Sequence, residues 1–215
     1  MSMSEMAVIF GILGALLIGA VSPGPSFVLV SRIAITASRL DGLAAALGMG
    51  LGGALFGAVA LAGLSALLLQ VEWLYMTLKL MGGAYLLYLG IRIWRGASAP
   101  LAADLPAGSG RKSVLRSFSF AFVTQISNPK TAIVYGSIFA ALLPASPPQW
   151  LLLALPPMIF FVEASWYVIV ALAFSASRPR AVYLHSKKWI DRVTGAVMGA
   201  LGARLLVEAI RSQKS

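Results

Sequence analysis

Ala20-Val21-Ser22-Pro23-Gly24-Pro25-Ser26 stands in the middle of an apolar run that begins near Met6. A proline inside a helix removes a backbone donor and clashes with the carbonyl four residues earlier, so Pro23 and Pro25 must break or unwind the helix that crosses here. In hydrocarbon, an unwound backbone is tolerated only where protein or a cavity surrounds it. The event recurs about half a chain later at Ser127-Asn128-Pro129-Lys130, with Asn128 suited to an N-cap and Pro129 to a first helical turn. Two interrupted spans in corresponding positions of two halves point to a substrate site between them.

The surrounding chain is that of an integral membrane protein. Its 215 residues are 59% hydrophobic and 11% charged, with a mean hydropathy of +0.87, too apolar for a soluble domain of this size. The formal net charge of +10 sits in short segments between apolar runs, the pattern of the positive-inside rule rather than of a nucleic-acid surface. The absence of cysteine removes disulfides and thiol chemistry. The sole histidine, His185, lies among Ser186, Lys187 and Lys188 and reads as a solvated loop residue, so neither a metal nor a cofactor is expected. Met6 to Val21 lacks a basic leader, has Glu5 before it and is followed by Pro23, so it reads as half a membrane span and not as a signal peptide.

Apolar runs of the length needed to cross hydrocarbon can be drawn at about 6–30, 42–69, 74–94, 115–143, 150–174 and 190–210. Arg32 and Arg39 occupy the first connector, Arg92, Arg95, Arg111, Lys112 and Arg116 the third, and Arg178, Arg180, Lys187, Lys188 and Arg192 the fifth. Those connectors face the cytoplasm and both termini lie outside. Five spans with the N-terminus inside is the alternative frame. Trp73 and Trp150 fall at the presumed outer ends, Trp94 and Trp189 at the inner ends. The expected fold is therefore an all-α membrane protein of six transmembrane helices, arranged as two inverted three-helix repeats with helices 1 and 4 broken at the proline motifs. The repeats are 1–95 and 114–215, joined by a cytoplasmic linker at 96–113 rich in Ala, Pro, Gly and Ser. A weak internal match of Gly82 to Gly90 with Gly195 to Gly202 agrees with the repeat. Gly48/Gly52 and Gly53/Gly57 in span two read either as packing faces within the bundle or as a homodimer contact.

Helix starts after Pro25 and Pro129 present unsatisfied N–H groups and a positive partial charge, a place for a carboxylate. Ser22, Pro23, Gly24 and Pro25 of the first break, and Asn128, Pro129 and Lys130 of the second, are the candidate binding or gating residues. Lys130 and Glu163 fall halfway along spans four and five, where a charge is costly unless paired or hydrated. Either they neutralise one another, or Lys130 serves the substrate and Glu163 carries a coupling proton. Asp41 reads equally as an ammonium-binding or gating acid and as a simple helix N-terminal acid. Tyr85, Tyr88, Trp166 and Tyr167 are packing or pocket residues, Arg204 and Glu208 a pair one turn apart, Lys79 a snorkelling residue, and Pro156-Pro157 a third break or a kink.

Three motifs in order carry a family resemblance. The break at Ser22 to Pro25, the run of Leu78, Lys79, Gly82, Tyr85, Leu86 and Gly90 in span three, and Asn128-Pro129-Lys130 in span four resemble the LysE/RhtB family of bacterial amino-acid exporters over essentially the whole chain. The resemblance implies a six-span inner-membrane protein that exports amino acids or related metabolites, driven by protons or the membrane potential. Its partners would be an amino acid and the lipid bilayer. A passive channel or an exporter of another small metabolite is the alternative. No histidine lies within a span to serve an intramembrane hydrolase.

Overall fold

The computed structural model describes residues 3–22, 24–70, 72–98, 113–144 and 146–212. Pro23, residues 99–112 of the expected linker, and the side chains of Glu72, Trp73, Leu78, Lys79, Pro129, Arg178 and Arg180 lie outside what is described. Among the described residues the chain forms eight α-helices and no strand: α1 Met3–Val21, α2 Pro25–Thr36, α3 Arg39–Gln70, α4 Glu72–Gly96, α5 Val114–Ile126, α6 Pro129–Leu142, α7 Gln149–Phe174 and α8 Ser177–Ser212.

Three stretches, Arg39–Gly63, Gln149–Phe174 and His185–Arg211, are long and apolar enough to cross a membrane by themselves, and α1 with α2 meets the same test as a pair bent by 58°. The axes change where the sequence offers no helical donor. Gly24 is extended (φ −138°, ψ −174°) and Pro25 opens α2, the position at which a missing N–H costs nothing. The 13-residue α5 and 14-residue α6 rise only about 20 Å each. Phe10, Leu153 and Phe161 are 72, 70 and 68% exposed, a surface suited to lipid.

Two apolar cores lie on either side of a polar layer. Ile12, Leu86, Ile138, Phe139, Leu155 and Leu205 form one; Phe27, Val30, Ala45, Met49, Val170 and Ala171 form the other. Between them are Ser22, Ser26, Gln125, Asn128 and Glu163, all buried.

Glycine sets how closely the helices approach. A Cβ on Gly90 would stand 2.6 Å from the Gly195 carbonyl oxygen, and one on Gly195 would stand 2.7 Å from that of Gly90. Gly83 and Gly202 face each other in the same reciprocal way, at 3.1 and 2.6 Å. The two matching glycine runs noted in the sequence are thus packed on each other, α4 antiparallel to α8. In α3, Gly48 and Gly52 receive Phe118, Phe122 and Gln125 of α5, while Gly50, Gly53 and Gly57 receive Ala164, Glu163 and Ile159 of α7. The span-two glycines are used for packing within the chain.

Two expectations are corrected. Pro156 and Pro157 do not break α7, which runs through both as 26 continuous residues. A proline pair removes two donors, and a helix embedded among neighbours continues past such a loss. The fifth connector is not a long basic loop: α8 starts at Ser177 and is 36 residues long, so Lys187, Lys188 and Arg192 are helical and exposed His185 lies on α8. Arg204 Nε pairs with Glu208 Oε1 at 2.7 Å as their spacing implies. Arg192 lies over the Trp94 and Trp189 rings at 5.8 and 5.5 Å, so these two tryptophans share one end of the α4–α8 pair.

Candidate functional site

The two breaks meet. Asn128 ends the turn after α5, and its Oδ1 accepts the Lys130 N–H at 3.0 Å, capping α6 as its residue type favours. Its Nδ2 remains free to reach across, donating to Ser26 Oγ in the first turn of α2 at 3.2 Å. Ser26 Oγ in turn donates to Gln125 Oε1 at 2.6 Å. The starts of α2 and α6 are therefore joined side chain to side chain.

From Gln125 the network runs to Glu163. Gln125 Nε2 donates to Glu163 Oε2 at 2.9 Å, and Tyr135 Oη donates to Glu163 Oε1 at 2.6 Å. Both carboxylate oxygens are held by neutral donors, in a residue 3% exposed. A Cβ on Gly53 of α3 would overlap the same carboxylate, so any side chain at that position would displace it. The Tyr135 ring is fixed by Phe139, edge-on at 5.9 Å, and by Phe56 at 6.4 Å.

These groups line one cavity of about 40 Å³, bordered by Ser22, Gly24, Pro25, Ser26, Gln125, Asn128, Lys130, Thr131, Tyr135, Glu163 and Tyr167. It has room for a few water molecules and not for an amino acid. Lys130 guards one side: a Cβ on Gly24 would stand 3.1 Å from its Nζ. Trp166 Nε1 donates to the Ala20 carbonyl at 3.1 Å, satisfying one of the acceptors that the end of α1 leaves open.

Of the expected site residues, the structure brings together Ser22, Gly24, Pro25, Asn128, Lys130 and Glu163. Pro129 contributes the start of α6. Lys130 and Glu163 border the same cavity but form no ion pair among the described residues. Asp41 is elsewhere: buried in the first turn of α3, it accepts from Ser38 Oγ at 2.5 Å and from Ser117 Oγ of α5 at 2.9 Å. Asp41 thereby ties the start of α3 to α5. Tyr167 lines the cavity; Tyr85 and Tyr88 lie against each other on α4, away from it.

Ser26, Gln125 and Tyr135 were not picked out from the sequence. Gln125 carried a signal, since an amide three residues before Asn128 inside an apolar half-span needs a buried partner. Tyr135 carried none, because aromatic residues in apolar helices are ordinarily packing.

The LysE type translocator family matches residues 17–209. The chain belongs to that family. This LysE family member is 30% identical over 195 residues to a threonine efflux protein of Escherichia coli, with 89% of this chain and 93% of the relative covered. It is 32% identical over 200 residues to a threonine efflux protein of Salmonella typhi, with the same coverage. An uncharacterized membrane protein of Escherichia coli, YahN, is 28% identical over 209 residues, with 97% and 93% covered. No solved structure matches the chain. As a LysE family translocator, the protein is a membrane transporter and not an enzyme.

Proposed function

We propose that this LysE family protein is a secondary-active exporter of threonine or similar small amino acids across the bacterial inner membrane. The observation that carries the reading is the direct junction of the α2 and α6 starts at Asn128 and Ser26, beside a cavity bordered by Lys130 and Glu163. The threonine efflux relatives support the substrate class.

In this reading α1–α2, α3, α4, α5–α6, α7 and α8 are six spans in two inverted halves, with both termini outside. The antiparallel, reciprocal glycine contact between α4 and α8 is what two inverted repeats would make at their shared axis. The substrate carboxylate meets the helix starts and Lys130. Alternating access follows from rocking the halves about the breaks at Ser22 to Pro25 and Asn128 to Lys130. Glu163 couples the cycle to protons through its donors. A proton added to one of its oxygens turns an acceptor into a donor, so Tyr135 or Gln125 must turn away or reverse. Gln125 is also the acceptor of Ser26, and the change reaches α2 at once.

The test is efflux of labelled threonine from proteoliposomes, comparing wild type with Lys130→Ala at matched protein levels. Saturable uphill export, lost in Lys130→Ala and abolished by an uncoupler, is the expected result. Flux that only follows the threonine gradient and ignores the uncoupler would make the protein a passive channel.

A further inference from the structure

Three carboxylates are buried among the described residues: Asp41, Glu163 and Asp191. Asp41 has both oxygens engaged by serine hydroxyls, and Glu163 has both engaged by Tyr135 and Gln125. Asp191 differs. Its Oδ2 accepts from Lys187 Nζ at 2.7 Å, one turn away on α8. Its Oδ1 is buried and has no hydrogen-bond partner among the described residues, in a residue 4% exposed. A buried acceptor left open costs free energy until a donor reaches it.

The place of Asp191 in the fold suggests the donor. Thr194, three residues further along α8, donates to the Ile18 carbonyl of α1 at 3.4 Å. Next to it, Gly19 meets Met198 of α8 and Val134 of α6, and Val134 is one turn beyond Lys130. The last turn of α1 is thus flanked by the stretches of α8 and α6 that carry Asp191 and Lys130. Beside Asp191, the buried Nε of Arg192 also has no hydrogen-bond partner among the described residues. An α-amino acid carries an ammonium and a carboxylate on one carbon, so its site needs an acidic and a basic side chain, one for each charge.

We propose that the open oxygen of Asp191 receives the ammonium group of the transported amino acid while Lys130 faces its carboxylate. The inference rests on the amino-acid reading above and assigns the ammonium to neither Asp41 nor Glu163. Lys187 donates to the other oxygen, Oδ2, and takes no part in holding the ligand.

The experiment uses the full-length protein in proteoliposomes and measures inhibition of labelled L-threonine efflux by two competitors, unlabelled L-threonine and its deaminated analogue 2,3-dihydroxybutyrate. Wild type should prefer threonine by about tenfold or more, the worth of one charge-assisted contact. Asp191→Asn should bring the two competitors close to equality, while Lys187→Gln retains the preference. An unchanged preference in Asp191→Asn overturns the assignment and leaves the exporter reading intact. An equal collapse in Lys187→Gln overturns it too, because Asp191 would then matter only as the partner of Lys187. The wild-type comparison needs no variant to fold: a protein that exports threonine but treats both competitors alike has no ammonium site. Wild type with no saturable amino-acid export sinks the exporter reading first, and this inference with it.

Discussion

Tyr135→Phe removes a single hydroxyl and leaves the ring wedged between Phe56 and Phe139. Tyr135 is 2% exposed, so any replacement donor for Glu163 Oε1 is limited to water in the adjoining cavity. A hydrogen bond to a charged group is worth about 1.5–3 kcal/mol. Side-chain hydrogen bonds within membrane bundles average nearer ~0.6 kcal/mol, because the inserted but unpacked chain also finds partners. The expected loss therefore falls between about 0.6 and 3 kcal/mol, or roughly 1–12 °C in Tm for a chain of this length at ~2–4 °C per kcal/mol. Thermal unfolding of the purified protein in detergent reads this directly. A double-mutant cycle with Glu163→Leu isolates the pair, and a coupling of about 1 kcal/mol or more is expected from a contact of 2.6 Å. A Tyr135→Phe protein with unchanged Tm and no coupling in the cycle would show that the hydroxyl does not hold Glu163. The proton-coupled role given to that network would then lose its basis.

Gly195→Ala and Gly199→Ala lie four residues apart on α8 and should behave oppositely. A methyl at 195 meets the Gly90 carbonyl at 2.7 Å and the Trp94 N at 3.0 Å, whereas one at 199 has nothing within 4 Å. Gly195→Ala should cost about 1–3 kcal/mol by forcing α4 and α8 apart, and Gly199→Ala should stay within ~0.5 kcal/mol of wild type; detergent unfolding of both separates the cases. Pro156→Ala restores an N–H inside a helix that is already continuous, so Tm should hold or rise by a few degrees with unchanged far-ultraviolet circular dichroism. A fall in both would mean that α7 depends on its proline.

The fold was legible where polarity and chain length act locally. Pro25 and Pro129 open helices because a proline at the first helical position gives up a donor that would be unsatisfied anyway. Pro156 and Pro157 lie inside a continuous helix, where the same chemistry is absorbed by the surrounding helices. The stretch 177–189 read as a loop from its charge, yet it is helical. Its basic residues sit on one end of a long helix, with Lys187 paired to Asp191 one turn on. Charge marks the membrane boundary and does not say where a helix stops.

Asn128, Lys130 and Glu163 stood out from sequence because a polar or ionised group in an apolar run is costly and needs a reason. Which groups supply that reason is a matter of distance between residues far apart in the chain. Ser26 and Asn128 are 102 residues apart and touch; Gln125 and Glu163 are 38 apart and touch. The sequence by itself determined a membrane chain of apolar helices interrupted at two proline motifs, since hydropathy, proline geometry and capping act within a few residues of chain. The folded arrangement adds that Glu163 is held by Tyr135 and Gln125 and not by Lys130, that Asp41 is engaged by Ser38 and Ser117, and that Asp191 keeps an oxygen open. A buried polar group is settled by whichever partner the packing brings within hydrogen-bond reach, and local sequence carries no record of that.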